Sequence, residues 1–295
     1  SAKLARALLP AWGLSMAALF CVLWNAIAIV LLLVFGVAVP AFSTTLPAFA
    51  AATRTPTPLT GDIIPLKPIA GLTSLNAEVK LEVNGLINDQ RAQGDLNAVL
   101  STNDQGSSRI TLTGSLLGDI AAQIGGSLVG LFKPSKVDIY KVPEGTYVVI
   151  SSLLPVCVEL EDSKATAALE EMSPQSLLTL LTSSDVARGE YVGQKTLKGV
   201  PVKHYVLDGD DFLTAAQKSR NSKLREFGEA LWSAEDADLY VDAKGGYPRA
   251  FSGSFSGSYE PLEFEGDFDV QVELTGVNTD TQVELPASCS RPISR

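Results

Sequence analysis

The sequence predicts an α+β chain held at a membrane: an antiparallel sheet interrupted by helices, preceded by one N-terminal transmembrane helix. Three observations predict it. Residues 11–39 carry no charge; stretches at 74–84, 237–242, 247–259 and 263–274 alternate apolar and polar side chains; and residues 115–132 and 173–181 return to helical spacing.

The apolar run at 11–39 has only Ser15 and Asn25 as polar side chains, and at ~1.5 Å rise per residue it is long enough to cross a bilayer with some tilt. Lys3 and Arg6 precede it and no charge follows until Arg54, so the positive-inside bias keeps residues 1–10 cytoplasmic and exports the rest as a single-pass protein of the cell membrane. A cleaved signal peptide is the competing reading, because Ala48-Phe49-Ala50 has the small-x-small form of a cleavage site. The run is, however, about twice as long as an ordinary signal h-region. Cys21 follows the bulky Phe20, which argues against lipidation there.

The formal charge is −10, and the first 54 residues carry Lys3, Arg6 and Arg54 with no acid, leaving −13 on the remainder. An acidic exported domain disfavours nucleic acid and anionic lipid headgroups as partners and leaves an apolar ligand open. With Cys21 in the span, Cys157 and Cys289 remain; in an oxidising compartment they are expected to pair, with two unpaired thiols as the alternative. One histidine and no CxxC argue against a metal site, and nothing calls for a cofactor.

Residues 40–71 contain Pro40, Pro47, Pro56, Pro58, Pro65 and Pro68 and read as an extended stalk, followed by one domain over 72–295. In the first strand Leu75, Ala77, Val79, Leu81 and Val83 share one face. Strands at 92–102 and 107–113 flank an Asn103-Asp104-Gln105-Gly106 turn, and strands at 137–141 and 146–151 flank Pro143-Glu144-Gly145. Between these hairpins, residues 115–132 place Leu117, Ile120, Ile124, Leu128 and Leu131 on one helical face, weakened by four glycines. A packed core helix, a lid over an apolar cavity and a bilayer-touching segment are the alternatives. Helices are also predicted at 163–171, from the Ser173-Pro174 cap, and over 211–232, where Leu224, Phe227 and Leu231 share a face. Asp208, Asp210 and Asp211 read as helix caps.

The last third is the most regular. Tyr247, Arg249, Phe251, Phe255 and Tyr259 share a face with Gly253 and Gly257, which predicts hollows between aromatics or the strong curvature of a half-closed barrel. In the next strand Phe264, Phe268, Val270, Val272 and Leu274 face in, and Glu263, Glu265, Asp267, Asp269, Gln271 and Glu273 face out as a solvated row, with a calcium or docking site as the alternative.

Three pieces carry a resemblance: GEYVGQK at 189–195 leading into LKGVPVKHYVL at 197–207, ADLYVDAKGGYPRAF at 237–251, and Val277-Asn278-Thr279 followed by Val283-Glu284-Leu285-Pro286. In order and spacing, over about residues 72–288, they resemble exported lipoproteins of the LppX/LprG type. The resemblance implies a LolA-like fold, a strongly curved antiparallel sheet or half-barrel with helices on its concave side around an apolar cavity, in proteins that carry or sense lipids. It also places His204 in a structural hairpin. Members have a lipobox Cys where this chain has a membrane span, which implies a tethered domain rather than a shuttle.

Sites of chemistry are missing from the sequence. Gly253-Ser254-Phe255-Ser256-Gly257 has Phe where a nucleophile elbow has Ser, and neither a P-loop nor a dinucleotide fingerprint occurs. The expectation is therefore a non-enzymatic, lipid-binding or lipid-transfer domain. Its expected cavity is lined by Leu81, Val83, Leu117, Ile120, Ile124, Leu128, Phe251, Phe255 and Phe268. The alternative is an accessory or regulatory subunit that uses the same fold as a scaffold in a membrane complex.

Overall fold

The structure, a computed structural model, describes residues 62–67, 69–87, 89–117, 134–151, 155–160, 188–219, 225, 228–259, 263–290 and 292–294. The predicted anchor, the helices expected at 163–171 and from Ser173-Pro174, and all but the first turn of the 115–132 element lie outside them.

Fourteen strands form one sheet among the described residues. They are β1 (Asp62–Ile63), β2 (Leu75–Ile87), β3 (Gln90–Thr102), β4 (Ser108–Thr113), β5 (Lys136–Val142), β6 (Gly145–Ser151) and β7 (Val156–Leu160). The second half adds β8 (Arg188–Leu197), β9 (Val200–Leu207), β10 (Leu231–Ala234), β11 (Ala237–Asp242), β12 (Pro248–Tyr259), β13 (Phe264–Val277) and β14 (Ile293–Ser294). Their order is β1-β8-β9-β11-β12-β13-β2-β3-β4-β5-β6-β7-β14, with β10 beside β12. Every pairing is antiparallel except the short one of β14 on β7.

Two meanders, β2 to β7 and β8 to β13, are joined where the last long strand pairs the first, from Phe264 opposite Ile87 to Val277 opposite Leu75. Beyond this seam Asn278, at φ 53°, turns the chain. Its side chain accepts from the Thr73 N–H at 2.8 Å and donates to the Gly71 carbonyl at 3.1 Å. Asn tolerates the left-handed conformation that this turn needs. The positive φ of Lys198 (45°) and Gly199 (85°) likewise lets two residues join β8 to β9. At Asn103 the carboxamide oxygen accepts from the N–H groups of Gln105 and Ser107, closing the predicted turn.

Alternation along the strands sorts side chains onto two faces. Leu75, Ala77, Val79, Leu81 and Val83 of β2 join Leu96, Leu100, Ile110, Leu112, Val137 and Ile139 on an apolar face that continues through Leu239, Phe251, Phe255, Phe268 and Val270. Helix α1 (Gly209–Gln217) lies on this face. Its cap is Asp208, whose carboxylate accepts from the Asp211 N–H at 2.9 Å as the sequence predicts, and it buries Phe212, Leu213, Ala215 and Ala216. The helical spacing read through to residue 232 overshoots. Leu231 and Trp232 belong to β10, where Leu231 pairs with Gly257.

A second, smaller apolar cluster lies apart from the first and consists of Tyr140, Tyr147, Val149, Cys157, Val283 and Cys289. The Cys157–Cys289 disulfide, with Cα atoms 5.2 Å apart, ties the C-terminal segment to β7 across 132 residues. At the other end, part of the segment read as stalk packs with the domain: Ile64 is 1% exposed in the main core, and the Lys67 N–H donates to the Gly246 carbonyl.

Candidate functional site

Six of the nine residues expected to line a cavity meet in one buried cluster: Leu81, Val83, Leu117, Phe251, Phe255 and Phe268. Ile120, Ile124 and Leu128 lie outside the described residues. The aromatic rings form a chain. Phe212 of α1 sits 6.2 Å from Phe251 and 5.5 Å from Phe255, Phe255 sits 5.6 Å from Phe268, and Phe268 sits 6.1 Å from Phe264. Separations of this size are those of favourable aromatic pairs.

The hollows expected at Gly253 and Gly257 are filled. A Cβ on Gly253 would meet the Phe255 ring at 3.1 Å and the Ala237 methyl at 3.2 Å; one on Gly257 would meet the Ala230 carbonyl oxygen at 2.6 Å. Gly257 thus serves the close approach of β10, and Gly253 makes room for a neighbouring ring.

The chain passes from β4 towards the apolar face at 114–117. Gly114 takes φ 129°, Ser115 donates from its hydroxyl to the Asp95 carboxylate at 2.7 Å, and its oxygen accepts from the Asp95 N–H at 3.0 Å. The Ser115 hydroxyl and the Ser115 N–H, which donates to the same carboxylate at 3.2 Å, hold the Asp95 carboxyl below its usual range. Gly94 leaves the space that Ser115 and Leu116 occupy, since a Cβ there would lie 2.3 Å from the Ser115 hydroxyl. Leu116 and Leu117 are consequently buried in the main core, at the start of the element predicted to cover it.

The opposite face is polar. Glu265, Asp267, Asp269 and Gln271 of β13 are exposed, and the hydroxyls of Ser254 and Ser256 on β12 donate to Asp269 and Asp267. Lys80, Glu82, Asp236, Asp238, Asp269 and Gln271 help to line a half-open depression of about 230 Å³ on it. Among the described residues no group of three or more His, Cys, Asp or Glu side chains is placed to hold a metal ion. His204 is buried beside this surface, hydrogen-bonded through Nε2 to Asp238 and stacked at 4.6 Å on Tyr240, whose ring lies 5.6 Å from the Lys195 ammonium. These contacts fit the structural role predicted for it.

One buried carboxylate stands out in the first meander. Asp138 is 3% exposed and accepts from Thr111 at 2.6 Å, Arg109 at 2.8 Å and Lys136 at 2.8 Å. Burial alone would raise its pKa, but these three donors outweigh burial and hold the carboxyl below its usual range. Single-sequence reading missed the cluster, because β4 and β5 are joined through a long connection and only their register brings Thr111 opposite Asp138.

No family model matches the chain, and no curated protein sequence matches it. Among solved structures it is similar to LprF from Mycobacterium bovis, at 9% identity over 74% of this chain and 90% of that one, with a TM-score of 0.38. It is also similar to a putative outer membrane lipoprotein-sorting protein domain from Vibrio parahaemolyticus, at 7% identity over 73% and 89%, with a TM-score of 0.22. At these scores the likeness assigns this chain neither a ligand nor a partner.

Proposed function

We propose that this chain is a membrane-tethered, extracytoplasmic and non-enzymatic domain that binds lipid or another apolar ligand on the apolar face of its sheet. The observation that carries this reading is the extent of that face. It runs as one buried cluster from Val137 and Ile139 of β5, through Leu81, Val83 and Phe268 at the seam, to Leu239 of β11, with the nine-residue α1 packed on part of it. The chain turns towards the same face at Leu116 and Leu117, and the sequence that follows carries Ile120, Ile124 and Leu128 at the spacing of one apolar helical face, which supports the reading of an acyl chain bound there. Burial contributes roughly 0.8 kcal/mol per CH₂, enough for one tail to bind without a charged recognition group. The uncharged run at 11–39 with Lys3 and Arg6 before it supports the tether and its orientation.

A second reading, an accessory subunit of a membrane complex, is favoured by the filling of Gly253 and Gly257 and by the exposed acids of β13. Native mass spectrometry of the full chain extracted in detergent separates the two. Lipid adducts that survive a high-salt wash are expected. A chain that flies free of lipid but with a stoichiometric protein subunit overturns the lipid-binding reading in favour of the scaffold.

A further inference from the structure

Among the described residues the β1–β8 edge of the sheet carries three of the most exposed large apolar side chains. β1 pairs with β8 so that Asp62 lies opposite Gly189 and Ile63 opposite Arg188. In this antiparallel register the N-terminal end of β1 points along β8 towards Tyr191 and Val192. Ile63 is 60% exposed, Tyr191 51% and Val192 55%, three large apolar side chains on one edge. A bulge between Tyr191 and Gly193 sets Val192 out of the pairing with β9. The ring of Tyr191 lies 5.5 Å from that of Tyr205, which belongs to the main apolar cluster, so this edge is also a rim of the apolar face.

Charge separates the edge from the polar face. β1 and β8 carry Asp62 and Glu190 against Arg188 and Lys195, a formal balance of zero, whereas β13 carries Glu265, Asp267, Asp269 and Glu273 with no cation. An anionic bilayer repels the second surface and not the first. Distance favours contact as well. Residues 40–61 join Asp62 to the predicted span and in extended Pro-rich backbone reach no more than about 70 Å, so the domain stays at high effective concentration over its own bilayer. A weak apolar contact is then sufficient.

We propose that the β1–β8 edge is a membrane-contact surface, with Ile63, Tyr191 and Val192 set into the headgroup and acyl boundary. There Tyr suits a site that is apolar on one side and wet on the other. The inference rests on the tether in the function proposed above and adds an orientation: the rim at Tyr191 and Tyr205 faces the lipid, giving a ligand a path between bilayer and apolar face that does not cross water.

Full-length chain carrying Cys21→Ser, with the Cys157–Cys289 disulfide intact, is labelled with a nitroxide at Val192→Cys or at Val99→Cys, a 43% exposed position on β3. Each is placed in nanodiscs of mixed zwitterionic and anionic phospholipid. The ratio of oxygen to water-soluble nickel accessibility is expected to be several-fold higher at 192 than at 99, and to stay so in high salt. Equal, water-like ratios at both positions in chain that has entered nanodiscs overturn the contact surface while leaving the tether standing. Chain that does not enter nanodiscs at all overturns the tether and this inference with it.

Discussion

At Gly257 one hydrogen in place of a methyl group decides how β10 lies on β12, because the Ala230 carbonyl oxygen occupies the space a Cβ needs. Gly257→Ala is therefore expected to lower stability by about 1–3 kcal/mol, read as a lower urea midpoint with an unchanged slope. The pair Gly85 and Gly266, opposite one another on β2 and β13, repeats the constraint at the seam, where a Cβ on Gly85 would lie 2.4 Å from the Glu265 carbonyl oxygen. Asp138 makes the other residue-level prediction. A carboxyl held below the ordinary value of 3.8 adds stability at neutral pH, and that contribution fades as pH falls through the lower folded value. Asp138→Asn should thus cost most at neutral pH and least in acid, so that the urea midpoints of the variant and the natural chain converge as the pH drops below about 4. A gap that stays constant over this range would show that Asp138 acts by shape rather than by charge.

Among the elements, the long strands were legible because a two-residue period persists over many residues, as in β2 and β13, and because Asn103 and Pro143-Glu144-Gly145 announce their turns. β1, β10 and β14 run for two to four residues, too few for any period to register, and their pairing is decided by what the rest of the sheet presents. Leu231 shows the conflict directly: its spacing from Phe227 is helical, yet the open backbone at Gly257 makes it a strand residue. Alternation also told which way Gly253 faces but not that the Phe255 ring would fill the space. The pairing of His204 with Asp238, 34 residues away, depends on β9 lying beside β11. The Cys157–Cys289 bridge was an expectation from compartment, and its site adds a purpose. Val283 and Leu285 pack with Tyr140, Tyr147 and Val149, so the bridge fastens a C-terminal strap over the smaller core. Replacing both cysteines by serine is expected to cost about 2–4 kcal/mol in guanidinium unfolding and to open the 279–290 segment to protease before the rest of the domain.

For the whole molecule, both edges of the sheet end in a short strand: β1 pairs β8 at one side and β14 pairs β7 at the other. Short terminal pairs of this kind shield edges that would otherwise template association with another chain. The N-terminal pair does more, since Ile64 is fully buried in the main core and Leu66, Ile69 and Leu72 pack against it. Residues 62–72, inside the Pro-rich stretch where composition alone marks only a linker, therefore pack as part of the domain, whose boundary lies at residue 62 or before it. Two truncations test this boundary. A chain starting at residue 62 keeps β1, Ile64 and the Asn278 bond to the Gly71 carbonyl, whereas one starting at residue 73 loses all three while keeping every long strand. Burying one isoleucine contributes roughly 1.5–3 kcal/mol and the three half-buried side chains add to it, so the shorter chain should be less stable by about 3 kcal/mol or more in equilibrium urea unfolding. Equal midpoints for the two chains would mean that residues 62–72 rest on a core able to close without them, and the boundary would return to the start of β2.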